Sequence, residues 1–167
     1  NFYALSSYYL GSFFSPLVYF FNAQSMPDAV YLITLFKFGA IGLSTYISLH
    51  GMFSKIPRSL VLTLSTSFAL MSFAISQIEI KTWLDVFILA PLILYGFKKL
   101  IYNEGEILYF ISLTSLFIQN YYFGFMMSIF LILWYLTQLS WDIKGIGKRF
   151  FHFVIVSLLS VITSLVM

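Results

Sequence analysis

Long apolar stretches, separated by short polar or charged interruptions, run through the whole chain. An α-helix rises 1.5 Å per residue, so about 20 apolar residues cross the roughly 30 Å hydrocarbon core of a bilayer. The pattern therefore predicts an all-α, polytopic transmembrane bundle, in which an outer interfacial or re-entrant segment at residues 1–24 precedes six crossings. The predicted spans are residues 26–50, 59–76, 83–97, 107–118, 121–138 and 150–167.

Composition agrees with a membrane protein. Hydrophobic residues make up 60% of the chain and charged residues only 9%, whereas soluble domains carry about 25% charged residues. The sequence starts inside an aromatic stretch and stops inside an apolar one, so we expect residues 1–167 to form part of one larger transmembrane domain. The chain has no Cys, which excludes disulfides and thiol chemistry. The basic residues lie in short loops rather than on one face, so nucleic acid is not an expected partner.

The distribution of Lys and Arg predicts the orientation of the helices. Seven of the nine basic residues lie in three alternate loops, which the positive-inside rule assigns to the cytoplasm. The opposite loops then face outward, and two crossings separate each pair of basic loops. The seven residues are Lys55, Arg58, Lys98, Lys99, Lys144, Lys148 and Arg149.

Lys37 is the one charged residue inside the first long apolar stretch, residues 29–49. It lies about 12 Å in from the start of that stretch, and a lysine at such a depth costs roughly 2.5–3.5 kcal/mol to insert. A lysine so placed faces a bundle interior, a wet cavity or an anionic partner. The alternative is that Lys37 snorkels to the nearer membrane surface.

Three carboxylates, Asp28, Glu79 and Asp85, are predicted near the outer surface, above Lys37. A carboxylate beside a phosphate-binding lysine suits group transfer from a lipid-linked donor, because it can accept a proton from an incoming hydroxyl. The structural alternatives are also open. Asp28 and Asp85 each follow a Ser or Thr by three residues, as in a capping box, and Glu79 can be a solvated loop residue.

A polar and aromatic turn, residues 119–122, separates two of the predicted spans. Its Asn120 and Tyr121 can bind a sugar by hydrogen bonding and stacking, although aromatic residues at this depth also form ordinary interfacial belts. The sequence has no metal-spaced His, Asp or Glu cluster and no Gly-rich phosphate loop. We therefore expect no certain cofactor, while the outer carboxylates permit a divalent metal.

Four stretches resemble, in this order and spacing, the YfhO family of bacterial polytopic membrane proteins. The resemblance covers about the first 140 residues and implies a GT-C-type glycosyltransferase. Such an enzyme moves a sugar from undecaprenyl phosphate to a cell-envelope polymer such as teichoic acid, on the outer face of the bacterial cytoplasmic membrane. The stretches are NFYALSSYYLGSFFSPLVYFF, LFKFGAIGLSTYISL, KTWLDVFILAPLILYGFKKL and FIQNYYFGFMMSIFLILWYL.

The resemblance also implies roles for individual residues. Lys37, Trp83, Asp85, Asn120 and Tyr121 match family motif positions. Lys37 is then expected to bind the donor phosphate, Asp85 to act as a supporting acid, and the other three to bind substrate. The outer-loop residue Glu79 is a further substrate-binding candidate. The main catalytic carboxylate of such enzymes is expected upstream of Asn1, which would make this chain a fragment.

Two other function classes remain open from the sequence. A translocator of lipid-linked saccharides, or a small-solute transporter, would also contain short, Pro-interrupted helices and an intramembrane charge. A non-catalytic membrane subunit would use Lys37 to pair with an acidic residue of a partner chain.

Overall fold

The computed structural model describes residues 12–138 and 146–166, and every regular element in these two ranges is helical. The predicted all-α membrane fold is confirmed. Two short 3₁₀ helices, Ser15–Phe20 and Ala23–Ser25, come first. The α-helices are α1 (Met26–Met52), α2 (Arg58–Ala69), α3 (Ser72–Ser76), α4 (Lys81–Ile101), α5 (Ile107–Gln119), α6 (Tyr121–Gln138) and α7 (Ile146–Val166).

Within the described residues, three helical stretches are long and apolar enough to cross a membrane: Ala23–Met52, Arg58–Ser76 and Gly147–Leu165. The apolar stretches Ile107–Gln119 and Tyr121–Thr137 are shorter. Six crossings and their orientation thus stay a prediction.

The interfacial segment predicted at residues 1–24 lies partly outside the described residues, which begin at Ser12. Pro16 lies in the first turn of the first 3₁₀ helix, where its missing N–H costs no hydrogen bond. Tyr19 and Phe20 follow it and are 92% and 83% exposed. Aromatic side chains exposed to this degree suit the interfacial placement that the sequence predicts.

The chain divides into two compact units, residues 1–91 and 92–167. In the first unit α1 packs along α2, and the buried core contains Ile41, Ala69, Ala74 and Leu84. The predicted span 59–76 is interrupted in the structure, because α2 ends at Ala69 and α3 begins at Ser72. Ala69 and Ala74 are five residues apart in the sequence, so on one straight helix their side chains would point in directions about 140° from each other. The interruption lets both alanines enter the same core.

The helix predicted at residues 83–97 is longer in the structure, where α4 covers Lys81–Ile101. Its 21 residues span about 31 Å. Lys98 and Lys99 lie in its last turn, where cations stabilise the negative end of the helix dipole. The Arg149 guanidinium donates a hydrogen bond of 3.0 Å to the Ile101 carbonyl, which satisfies one of the last carbonyls of the helix. These interactions stabilise the last turn of the helix, which lies past residue 97.

The observed helix starts agree less well with the sequence-based predictions than the helix interiors do. Ser25 is the residue before α1, as the capping pattern predicts, but its side chain makes no capping hydrogen bond. Thr82 lies inside the first turn of α4 rather than before it. The capping box proposed for Asp85 is therefore not formed.

In the second unit α5 packs against α6 and α7. An aromatic cluster fills this core: the Phe97 ring lies 5.1 Å from Trp134, 5.2 Å from Phe153 and 6.1 Å from Tyr109, measured between ring centroids. Tyr109 is fully buried, and its hydroxyl lies 2.8 Å from that of Ser157. This bond gives the buried phenol a polar partner, as buried tyrosines require.

A close backbone approach joins α4 and α5. A Cβ placed on Gly96 would lie 2.6 Å from the backbone nitrogen of Tyr109 and 2.7 Å from its Cα. Only glycine fits there without moving the main chain of α5, so Gly96 fixes how closely the two helices pack.

Candidate functional site

Lys37 lies on the buried face of α1. Ala29, Ile33, Lys37 and Ile41 recur every four residues and are all buried, because residues at this spacing share one side of a helix. The same periodicity that forms the core of the first unit therefore places an ammonium inside it. The Lys37 side chain is only 2% exposed.

The partner of this ammonium comes from the same chain. Asp85 is buried on α4 between Leu84 and Val86, and its Oδ2 accepts a hydrogen bond of 2.8 Å from Lys37 Nζ. The Asp85 side chain is also 2% exposed. The structure thus brings together two of the residues predicted for the site, which are 48 positions apart in the sequence.

The two carboxylate oxygens of Asp85 differ in their hydrogen bonding. Asp85 Oδ1 is buried and has no hydrogen-bond partner among the residues that the structure describes, although Ser12 lies near the carboxylate. A buried ion pair offsets its desolvation only when its remaining lone pairs are also satisfied. Replacing a buried ion pair by apolar residues of similar volume is often neutral or stabilising, so the pair is weak evidence for a role in stability.

A cavity of about 770 Å³ lies beside Lys37. Its lining includes Lys37 and three residues with small hydroxyl side chains, Ser12, Ser15 and Thr82. Cavities of this size, mostly apolar and with a few convergent polar groups, are typical of small-molecule and cofactor sites. The remaining lining residues are Pro16, Val18, Tyr19, Phe21, Met26, Val30 and Ile33.

Two other predicted site residues lie close to Thr82 in the sequence. Trp83 is in the first turn of α4 and is partly buried. Glu79 is exposed, in the turn between α3 and α4. Neither contributes to the lining of the cavity beside Lys37, and substrate binding by either stays a prediction.

Asn120 and Tyr121 belong to the second unit, where they form the turn between α5 and α6. Asn120 is buried, and its Oδ1 accepts a hydrogen bond of 3.3 Å from the Phe123 backbone N–H. This is the N-cap interaction of α6, a structural role that the sequence analysis did not assign to it. Tyr121 is 74% exposed, and its substrate binding likewise stays a prediction.

The sequence reasoning missed the hydroxyls that line the cavity. Ser12 and Ser15 stand among aromatic residues, and Thr82 begins an apolar helix. A Ser or Thr within an aromatic or apolar stretch is the sequence feature that could have indicated these residues. No group of three or more His, Asp or Glu side chains within residues 12–138 and 146–166 is placed to hold a metal ion.

The structure is that of an α-helical membrane protein with an internal polar site. Its apolar helices bury the Lys37–Asp85 ion pair, and a cavity lies beside Lys37. The chain belongs to the family described as bacterial membrane protein YfhO, whose model matches residues 1–167. The match extends past the first 140 or so residues, which carry the resemblance in the sequence. Searches of curated proteins and of solved structures returned no match.

Proposed function

We propose that this protein is a membrane glycosyltransferase, which moves a sugar from a polyprenyl-phosphate donor to a hydroxyl of a cell-envelope polymer such as teichoic acid. The observation that carries the proposal is that Lys37, a buried cationic residue, belongs to the lining of a largely apolar cavity. An apolar cavity suits a prenyl chain, and an ammonium at its wall suits the phosphate attached to that chain.

Lys37 has the principal role in this mechanism. As the acceptor hydroxyl attacks the anomeric carbon of the sugar, the bond from that carbon to the phosphate oxygen breaks, and the electron pair goes to the leaving phosphate. The proton of the hydroxyl passes to water or to the leaving phosphate, whose second ionisation has a pKa of about 6. A fixed cation beside that phosphate stabilises the charge as it develops. The hydroxyls of Ser12, Ser15 and Thr82 line the same cavity and can donate hydrogen bonds to the phosphate oxygens.

Asp85 has a positioning role in this proposal. Its hydrogen bond to Nζ holds the ammonium at one place in the helix bundle, so the enzyme does not need to order a flexible lysine in the transition state. Its assignment as a supporting acid stays a prediction. The same ion pair weakens the idea of a subunit whose lysine awaits an acidic partner chain.

The experiment is a transfer assay with purified protein in detergent, using a radiolabelled sugar on polyprenyl phosphate and a polyol phosphate acceptor. The informative variant is Lys37→Met/Asp85→Asn, since replacing both residues leaves no buried, unpaired charge. We expect its kcat to fall by about 10²–10³, the range found when an electrostatic stabiliser is lost.

Two controls complete the design. Asp28→Asn removes an exposed carboxylate from the first turn of α1 and should keep full turnover. Wild-type turnover in the folded double variant would rule out the role of Lys37. Movement of the lipid-linked sugar across vesicles without a covalent product would instead identify a translocator.

A further inference from the structure

Tyr19 is an exposed aromatic residue that also lines the cavity beside Lys37. We infer that its ring is the binding platform for the sugar of the lipid-linked donor. Tyr19 then distinguishes a lipid phosphate that carries a sugar from one that does not. This inference rests on the proposed phosphate site at Lys37 and adds a sugar-binding residue to it.

The first step is the geometry of the 3₁₀ helix Ser15–Phe20. Such a helix has about three residues per turn, so residues three apart in the sequence share one of its faces. Residues from two of the three faces border the cavity, namely Ser15, Pro16, Val18 and Tyr19. The third face carries Leu17 and Phe20, and neither of them contributes to the lining. Tyr19 and Phe20 are 92% and 83% exposed, so the cavity, rather than exposure, distinguishes the two rings.

The second step is the direction in which the cavity extends. Its lining on α1 begins at Met26, the first residue of the helix, and reaches Lys37, about 16 Å further along. Tyr19 precedes α1, in the aromatic segment that suits the membrane interface. The cavity therefore extends from a buried cation toward the interface, with Tyr19 at the end nearer to water. A lipid-linked sugar has the same order, since its prenyl chain lies in the hydrocarbon, followed by its phosphate and then its sugar.

The third step is the chemistry of the ring. A tyrosine has an apolar face and a polar hydroxyl, which suit the C–H groups and the hydroxyls of a sugar. The phosphate and the sugar of the donor are joined through a single oxygen, so a phosphate held at Lys37 places the sugar beside it. The cavity of about 770 Å³ is in the size range of sites that enclose most of a drug-sized ligand. It can therefore contain both groups.

The test compares two ligands of equal charge by calorimetry, with the purified protein in detergent. One is polyprenyl phosphate that carries a sugar, and the other is the methyl ester of polyprenyl phosphate, which has no sugar. We expect the wild-type protein to bind the glycosylated lipid more tightly. Tyr19→Ala should lower this preference by about 3–10-fold, the contribution of one aromatic contact, and leave the affinity for the methyl ester unchanged. Tyr19→Phe keeps the ring and should keep the preference.

The matched control is Phe20→Ala, which removes a similarly exposed ring from the face of the helix that does not border the cavity. Its preference for the glycosylated lipid should remain that of wild type. Aromatic residues that only anchor this segment at the membrane interface would instead make the two alanine variants behave alike. Equal effects of the two alanine variants, an unchanged preference in Tyr19→Ala or a lost preference in Tyr19→Phe would each overturn the inference.

The same measurement separates this inference from the proposed function, with uncharged polyprenol as the reference ligand. If the wild-type protein binds the methyl ester more tightly than polyprenol but shows no preference for the glycosylated lipid, the phosphate site stands and the role of Tyr19 is refuted. If neither phosphate lipid binds more tightly than polyprenol, the proposed phosphate site is itself wrong, and the inference fails with it.

Discussion

Replacing Lys37 and Asp85 singly and together tests whether they act as one buried ion pair, as their 2.8 Å contact and 2% exposure indicate. Lys37→Met leaves a buried carboxylate without its cation, and Asp85→Asn leaves a buried ammonium without its anion. Each single change should lower the free energy of unfolding by about 3–5 kcal/mol. The double variant should lose only about 1–3 kcal/mol, for the amide left poorly paired in the core.

These magnitudes distinguish a coupled ion pair from two independent contributions. If the two losses were independent, the double variant would lose about 6–10 kcal/mol, which is comparable to the entire stability of a typical domain. It would then not be recovered as folded protein. The assay is equilibrium unfolding in mixed dodecyl maltoside and SDS micelles, followed by tryptophan fluorescence, with Asp28→Asn as the exposed-acid control.

The result that would refute this reasoning is additivity. A double variant less stable than either single variant would mean that Lys37 and Asp85 contribute separately. Single variants that lose under about 1 kcal/mol would mean that water or lipid headgroups already reach the two charges.

Three further predictions concern single residues, and all are measured by the same unfolding assay. Gly96→Ala should destabilise the protein by about 1–3 kcal/mol, because the new Cβ would lie 2.6 Å from the Tyr109 backbone. Wild-type stability of this variant would show that α4 and α5 can separate at no cost. Gly39→Ala, where a Cβ meets nothing within 4 Å, should instead stabilise α1 by about 0.5–1 kcal/mol, and a loss would contradict this. Asn120→Ala should cost about 1 kcal/mol, because α6 loses its cap on Phe123 N–H. Asn120→Ser should lose less, because its hydroxyl can still accept this hydrogen bond and no charge is buried; equal losses in both variants would contradict the capping role.

The sequence left a bundle interior, a wet cavity, an anionic partner and snorkelling open for Lys37, and the resemblance assigned the donor phosphate to its ammonium. Asp28, Glu79 and Asp85 were all placed above Lys37, but none of them was predicted to pair with it. Which carboxylate meets the ammonium depends on how α4 is rotated about its axis. That rotation is set by packing of its whole buried face, and the local capping pattern around Asp85 indicated a different role.

Some helix boundaries are set by the local sequence, and others are set by tertiary packing. The pair Gln119–Asn120 interrupts an apolar stretch, and the structure has α5 end and α6 begin there. Leu70 and Met71, by contrast, are good helix formers, and nothing in their local sequence indicates the interruption between α2 and α3. It follows from the need to bury Ala69 and Ala74 in one core, which a sequence pattern does not reveal.

The separation of Lys37 from Asp85 along the chain has a consequence for biosynthesis. The two residues are 48 positions apart, and ribosomes add about 5–20 residues per second. The ammonium is therefore synthesised about 2–10 s before its carboxylate. During this interval water or headgroups must solvate it, which favours a shallow or delayed entry of α1 into the bilayer. Arrival of α4 then neutralises the lysine and allows both helices to settle together.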